Sequence, residues 1–119
     1  MKIVFLENVI DFGGARKSTI ELASNLSINN DVYVVDVHGT CQPFVDACNI
    51  SNVKLKILLK QDNQVIFANS SHILASLVLY IKFFHVTIRA RKKLKSIFEQ
   101  ISPDYVIINN TTFFPICQV

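Results

Sequence analysis

The segment Asp11 to Leu26 reads DFGGARKSTIELASNL, and in it a glycine pair, Gly13 and Gly14, is followed by Lys17, Ser18 and Thr19. Those residue types in that order suit the holding of a phosphate. Two adjacent glycines let an anion approach the backbone without a Cβ in the way. If a helix opens there, its first N–H groups have no partner within it and its dipole leaves partial positive charge at that end. The ordinary alternative is that the glycines only permit a tight turn.

Such a site needs a strand to deliver the turn and a helix to leave it. Ile3, Val4, Phe5 and Leu6 form the short apolar run of a buried parallel strand. Asn8, Asp11, Gly13 and Gly14 are turn formers. Ala15, Thr19, Leu22, Ala23 and Leu26 then recur at helical spacing and predict one apolar stripe.

The chain beyond repeats this alternation. Asn29 to Asp31 make a turn, Val32 to Val35 a second strand ending at Asp36, and Pro43 suits the first turn of a short helix carrying Phe44, Val45 and Ala47. Val53, Leu55, Ile57 and Leu58, interleaved with Lys54 and Lys56, alternate as a third strand with one partly solvated face. Asp62 and Asn63 turn the chain, Val65 to Phe67 are a brief extended segment, and Asn69, Ser70 or Ser71 can cap the next helix.

A helix is expected over Ser71 to Ile101, apolar on most sides from Ile73 to Ile88 and basic after it at Arg89, Arg91, Lys92, Lys93 and Lys95. It reads as too short and too charged to span a bilayer, which takes about 20 predominantly apolar residues. Packing on the sheet with a solvated basic end is the expectation, and lying on an anionic membrane surface remains open beside it. Pro103 ends the helix, Tyr105 to Ile108 are a fourth strand, and Asn109 to Thr112 form a polar loop before an apolar segment from Phe113 to Val119.

With 119 residues, half of them hydrophobic, the chain can build one domain around one core. Met1 to Val53 holds three basic and six acidic residues, whereas Lys54 to Val119 holds nine basic and three acidic. No aromatic residues interleave with Arg89 to Lys95, so no nucleic-acid stacking platform is expected. Cys41, Cys48 and Cys117 lack CxxC spacing and a nearby zinc-ligand histidine, and read as reduced, buried thiols of a cytosolic protein. No signal-peptide succession opens the chain.

Strands alternating with helices predict an α/β fold, a Rossmann-like three-layer α/β/α domain with a parallel sheet. Ligands of such sheets sit at the carboxyl edge of the strands. Asp11 to Gly14, Val37 to Cys41 and Asn109 to Thr112 would share that edge.

Three families bear on the glycine turn. GGARKST resembles the deviant Walker A loop of partition-type ATPases at Gly13, Gly14, Lys17, Ser18 and Thr19. It departs at Phe12, where that family has its signature lysine, and at Arg16, where a glycine lets the backbone wrap the phosphates. Asp36 at the end of the second strand is similar to the ribose-binding acid of dinucleotide-binding Rossmann domains, but the GxGxxG pattern is absent.

The resemblance that runs through the whole chain is to the group 1, family 4-like glycosyltransferases of the GT-B fold. It is carried by Gly13, Gly14 and Ala15, by Glu21, Leu22, Ala23 and Leu26, by Asp31 to Val35, and by ISPDYVIINN from Ile101 to Asn110. Arg16 stands where many members have Glu.

That resemblance implies the acceptor-side N-terminal half of a retaining transferase over residues 1–119, truncated and inactive alone, its nucleotide-sugar-binding domain and active-site histidine lying beyond Val119. It implies a nucleotide-sugar donor, a saccharide or lipid-linked acceptor and no cofactor or metal. Gly13 and Gly14 would meet the donor phosphate, and His38, Asn110 and Thr111 would line the acceptor pocket. Arg89, Arg91, Lys92, Lys93 and Lys95 would face an anionic membrane, giving a cytoplasmic protein with a possible peripheral seat on the inner membrane face. The resemblance places it in envelope polysaccharide biosynthesis.

Overall fold

The computed structural model describes residues 1–60 and 73–109. Its elements are β1 (Lys2–Glu7), α1 (Gly14–Leu26), β2 (Asp31–Asp36), α2 (Gln42–Ile50), β3 (Lys54–Ile57), α3 (Ile73–Ile101) and β4 (Tyr105–Ile108). The four strands form one all-parallel sheet in the order β3-β2-β1-β4. This is the expected Rossmann-like α/β/α architecture.

Period-two alternation divides each central strand between two helix layers. Ile3, Phe5, Val32 and Val34 face α1 and α2, where they pack with Ile20, Ala23, Phe44 and Cys48. Val4, Leu6 and Val35 point the other way, to Leu58, Leu59, Ala90, Leu94 and Ile101. β1 and β2 are buried on both faces, which is why they read as unbroken apolar runs. β3 is an outer strand and shows the expected alternation, with Lys54 and Lys56 exposed. β4, the other outer strand, leaves Tyr105, Val106 and Ile108 exposed.

Two apolar faces differ from their sequence patterns. α1 buries Thr19, Ile20 and Ala23 and exposes Ala15 and Leu22. The buried arc is turned so that Ile20 takes the place expected of Leu22 while the Thr19 hydroxyl stays against Glu7. α3 divides in two. Ala90, Leu94 and Ile101 are buried, with Val86, Ile97 and Phe98 packed beside them, but from Ile73 to His85 nearly every side chain is exposed.

Length explains the division. A 29-residue helix extends about 43 Å, whereas a six-residue strand covers about 20 Å. The far end of α3 is tied to the amino edge of the sheet, where Lys2 Nζ donates to the Ile101 carbonyl and Lys2 N donates to Asp104. The apolar half therefore projects past the carboxyl edge. By length and composition α3 is also apolar enough to cross a membrane, which corrects the sequence expectation that it is too short and too charged. Lys82 is the one Asp, Glu, Lys or Arg between Ile73 and Ile88, and it leaves the segment long and apolar enough.

Asp62, Asn63, Val65 to Phe67, Asn69, Ser70, Ser71 and the segment from Phe113 lie outside the described residues.

Candidate functional site

The strand order reverses between β1 and β4. From β1 the chain moves to β2 and β3 on one side, and α3 then carries it back to β4 on the other. Ligands of doubly wound sheets enter at such a switch point, at the carboxyl ends of the strands. Here that point is bounded by Glu7 at the end of β1, Asn109 just after β4 and the turn from Asn8 to Gly13 leading into α1.

Glu7 is fully buried. Its Oε1 accepts hydrogen bonds of 3.0 Å from the Thr19 hydroxyl and 3.0 Å from Asn109 Nδ2. Asn109 Nδ2 also lies 3.0 Å from Thr19 Oγ1, closing a triangle between β1, β4 and α1. Oε2 of Glu7 stands 3.5 Å from Arg16 Nε in an ion pair without hydrogen-bond geometry. A buried carboxyl group needs such partners, because an unpaired charge in a dry site is costly. Neither Glu7 nor Arg16 stands out in the sequence as a site residue. Glu7 reads as the polar end of an apolar strand, and its partners are 12 and 102 residues away.

The glycine turn sits above this cluster. Gly13 is the N-cap of α1 with φ −82° and ψ −176°, an extended conformation open to any residue. Gly14 opens the helix, and a positive φ occurs among the described glycines only at Gly39. A Cβ on Gly14 would meet nothing within 4 Å, and one on Gly13 would meet only Asp11 Oδ1 at 3.9 Å. Both residues are exposed. The turn therefore needs glycine at neither position for conformation or packing, against the alternative that the glycines serve only to permit a tight turn. The first turn of α1 carries no acidic residue.

Lys17, Ser18 and Thr19 lie inside α1, not in a loop that wraps an anion. Arg16 and Lys17 donate their N–H groups to the Gly13 carbonyl at 3.1 Å each. Lys17 Nζ lies 5.8 Å from the centroid of the Phe12 ring, whose edge meets Phe44. Ser18 Oγ donates to Gly14 O, and Thr19 Oγ1 contacts Ala15 O as well as Glu7.

Asp36 has a structural post. It is 1% exposed; its Oδ1 accepts the N–H groups of Val9 and Val37 at 2.9 and 2.8 Å, and its Oδ2 accepts that of Gly39 at 2.9 Å. Burial pushes its pKa up, partly offset by these backbone donors and by the charge of His38. A carboxylate so engaged pins the β1–α1 loop to the β2–α2 loop and presents no free edge to a ribose. At Gly39, φ is +63° and a Cβ would collide with the Ile57 side chain, so only glycine fits.

His38 is only 7% exposed, a buried group beside Asp36. Cys48 is buried, as expected, and burial with the Asp36 charge raises its thiol pKa to about 11. Cys41 is half-buried, and Cys117 lies outside the described residues. So do Asn110 and Thr111, leaving Asn109 as the residue of that loop seen at the crevice. Arg89, Lys92, Lys93 and Lys95 are exposed on α3, and Arg91 is half-buried. Among the described residues no three His, Cys, Asp or Glu side chains gather as a metal site would require.

No family model, curated protein or solved structure matches the chain.

Proposed function

We propose that this chain is the acceptor-side, Rossmann-like half of a retaining GT-B glycosyltransferase, which moves a sugar from a nucleotide-sugar donor to a saccharide or lipid-linked acceptor. The observation that carries the reading is the exposed pair Gly13 and Gly14. They open α1 beside the switch point, and neither backbone angles nor packing calls for glycine there. What glycine does provide at a helix start is bare N–H groups that a diphosphate can reach.

In this reading the N–H groups at Gly14 and Ala15 receive the donor phosphate and stabilise the negative charge that grows on the leaving diphosphate. Hydrogen bonds from Thr19 and Asn109 to Glu7 hold the turn at a fixed height above β1 and β4. Arg16 balances Glu7 and keeps the nearby site from becoming acidic. The donor's nucleoside is held by a second domain, so the chain alone binds donor weakly and transfers nothing. The exposed apolar side chains of β4 are consistent with a sheet that continues further in the whole enzyme. No metal is needed for this chemistry.

A partition-type ATPase is the second reading, favoured by the order of Lys17, Ser18 and Thr19 alone. Titration with a nucleoside diphosphate separates the two. The transferase reading predicts weak binding that neither magnesium nor Lys17→Ala alters much. Tight, magnesium-dependent ATP binding abolished by Lys17→Ala would replace it with the ATPase.

A further inference from the structure

We propose that the projecting half of α3 is a dimerisation surface, its apolar arc covered by the same arc of a second copy of this chain running antiparallel. Two rows make the arc. Ile73, Leu77, Tyr80 and Phe84 recur at the alternating four- and three-residue spacing of a helix-pairing seam, and Leu74, Val78 and Ile81 flank it on one side. These side chains are 51–88% exposed. At 3.6 residues per turn they share one arc of about 160°.

The arc is not an overrun of the stripe that packs on the sheet. That stripe is carried by Ala90, Leu94, Ile97 and Ile101, and it lies about 140° round the helix from the centre of the arc. The chain's own sheet is therefore on the wrong side to cover it. Nor does this stretch have the opposite face of a helix that lies in a membrane surface, which is strongly charged. From Ile73 to Phe84 the one charged residue is Lys82.

Charge fixes the direction of the partner. Arg91, Lys92 and Lys95 continue the same face beyond the apolar rows. In a parallel pair each would meet its own copy across an interaxial distance of about 10 Å, like charge against like. An antiparallel pair places Ile73 against Phe84 of the second copy and Leu77 against its Tyr80, so the seam maps onto itself about a two-fold axis near Val78. The two Lys92 residues are then about 40 Å apart, well beyond a screening length of about 8 Å. Because this half of α3 projects past the carboxyl edge, the two sheets stand at opposite ends of the pair and do not collide.

Area sets the strength. At the observed exposures the seven side chains offer on the order of 800 Å² per copy. Covering three quarters of that on both copies removes about 1,200 Å², the lower end of stable interfaces. The dimer should accordingly be concentration-dependent, with a Kd in the micromolar range.

The test uses the whole chain and stands apart from the transferase reading, since none of it depends on phosphate binding. Sedimentation equilibrium between about 1 and 100 µM is expected to show a monomer passing into a dimer. Leu77→Glu and Ile81→Glu, each placing a charge in the seam, should weaken association about a hundredfold or more. Ala75→Glu, exposed but outside the arc, should leave it unchanged. Far-UV circular dichroism checks that each variant is folded. A photoreactive benzophenone side chain at position 84 of the otherwise unaltered chain should crosslink to the second copy near Ile73. The proposal is overturned if the chain is monomeric at about 100 µM, including the case in which that monomer is taken up by anionic vesicles and lipid covers the arc. It is also overturned if folded Leu77→Glu and Ile81→Glu dimerise like the parent, or if position 84 crosslinks to the second copy near its own position 84.

Discussion

Glu7 and Asn109 end neighbouring parallel strands, and Asn109 Nδ2 donates to Glu7 Oε1 at 3.0 Å across the point where the strand order reverses. With Thr19 they fix the start of α1 to the sheet. Glu7→Leu should therefore destabilise the chain by about 3 kcal/mol, since it strands the Arg16 charge and leaves Thr19 and Asn109 without their acceptor. Glu7→Gln keeps an acceptor and should cost less. Urea denaturation of Glu7→Leu, Arg16→Leu and the pair would check this; additive losses would mean that the two residues are not coupled.

The three glycines should separate by substitution to alanine. At Gly14 the change should be neutral or stabilise by up to about 1 kcal/mol, since the site is helical and open. Gly13→Ala should stay within about 1 kcal/mol, because the backbone is already extended. Gly39→Ala must meet both the left-handed φ and Ile57, and should cost about 2 kcal/mol or more. Thermal melts measure all three, and a large loss at Gly14 would remove the case for a ligand-related glycine.

Asp36 gives a pH dependence of defined sign. Its folded pKa is raised above the usual carboxylate value by burial. The folded state then holds the proton more tightly, so this group's contribution to stability is largest at low pH. It declines as pH rises from the unfolded pKa through the higher folded one, and is constant above that. Asp36→Asn should flatten this segment of the stability profile. It should also lower stability near neutral pH by about 1–3 kcal/mol, because an amide cannot accept from Val9, Val37 and Gly39 together.

Cysteine reactivity should follow environment. With its thiol pushed up to about 11 and fully buried, Cys48 should alkylate far more slowly at pH 8 than half-buried Cys41. Peptide mapping after timed iodoacetamide treatment reads this directly. Equal rates would mean that α2 opens readily.

The strands and helices were legible in the sequence because short apolar runs, glycine and asparagine turns and Pro43 and Pro103 mark their ends. Local signals carried that information. The crevice was legible only in part, since the glycine turn is a local feature whereas the union of Glu7, Thr19 and Asn109 depends on which strands become neighbours. Asp36 reads as the acidic end of a strand and His38 as a pocket-lining loop residue because nothing local reveals that three backbone N–H groups converge on Asp36 and that both side chains are buried. For α3 the helix and its basic end were legible, but where packing stops is set by how far the sheet reaches.

The central claim is that the bare N–H groups at the glycine turn receive a diphosphate, and amide NMR of the whole chain titrated with inorganic pyrophosphate or uridine diphosphate tests it most directly. The account predicts weak, saturable shifts centred on Gly13, Gly14 and Ala15, independent of magnesium, retained in Lys17→Ala and lost in Gly14→Val while the fold persists. Unmoved glycine amides at saturating ligand would contradict it, as would shifts centred on Lys17 and Ser18 that appear only with magnesium.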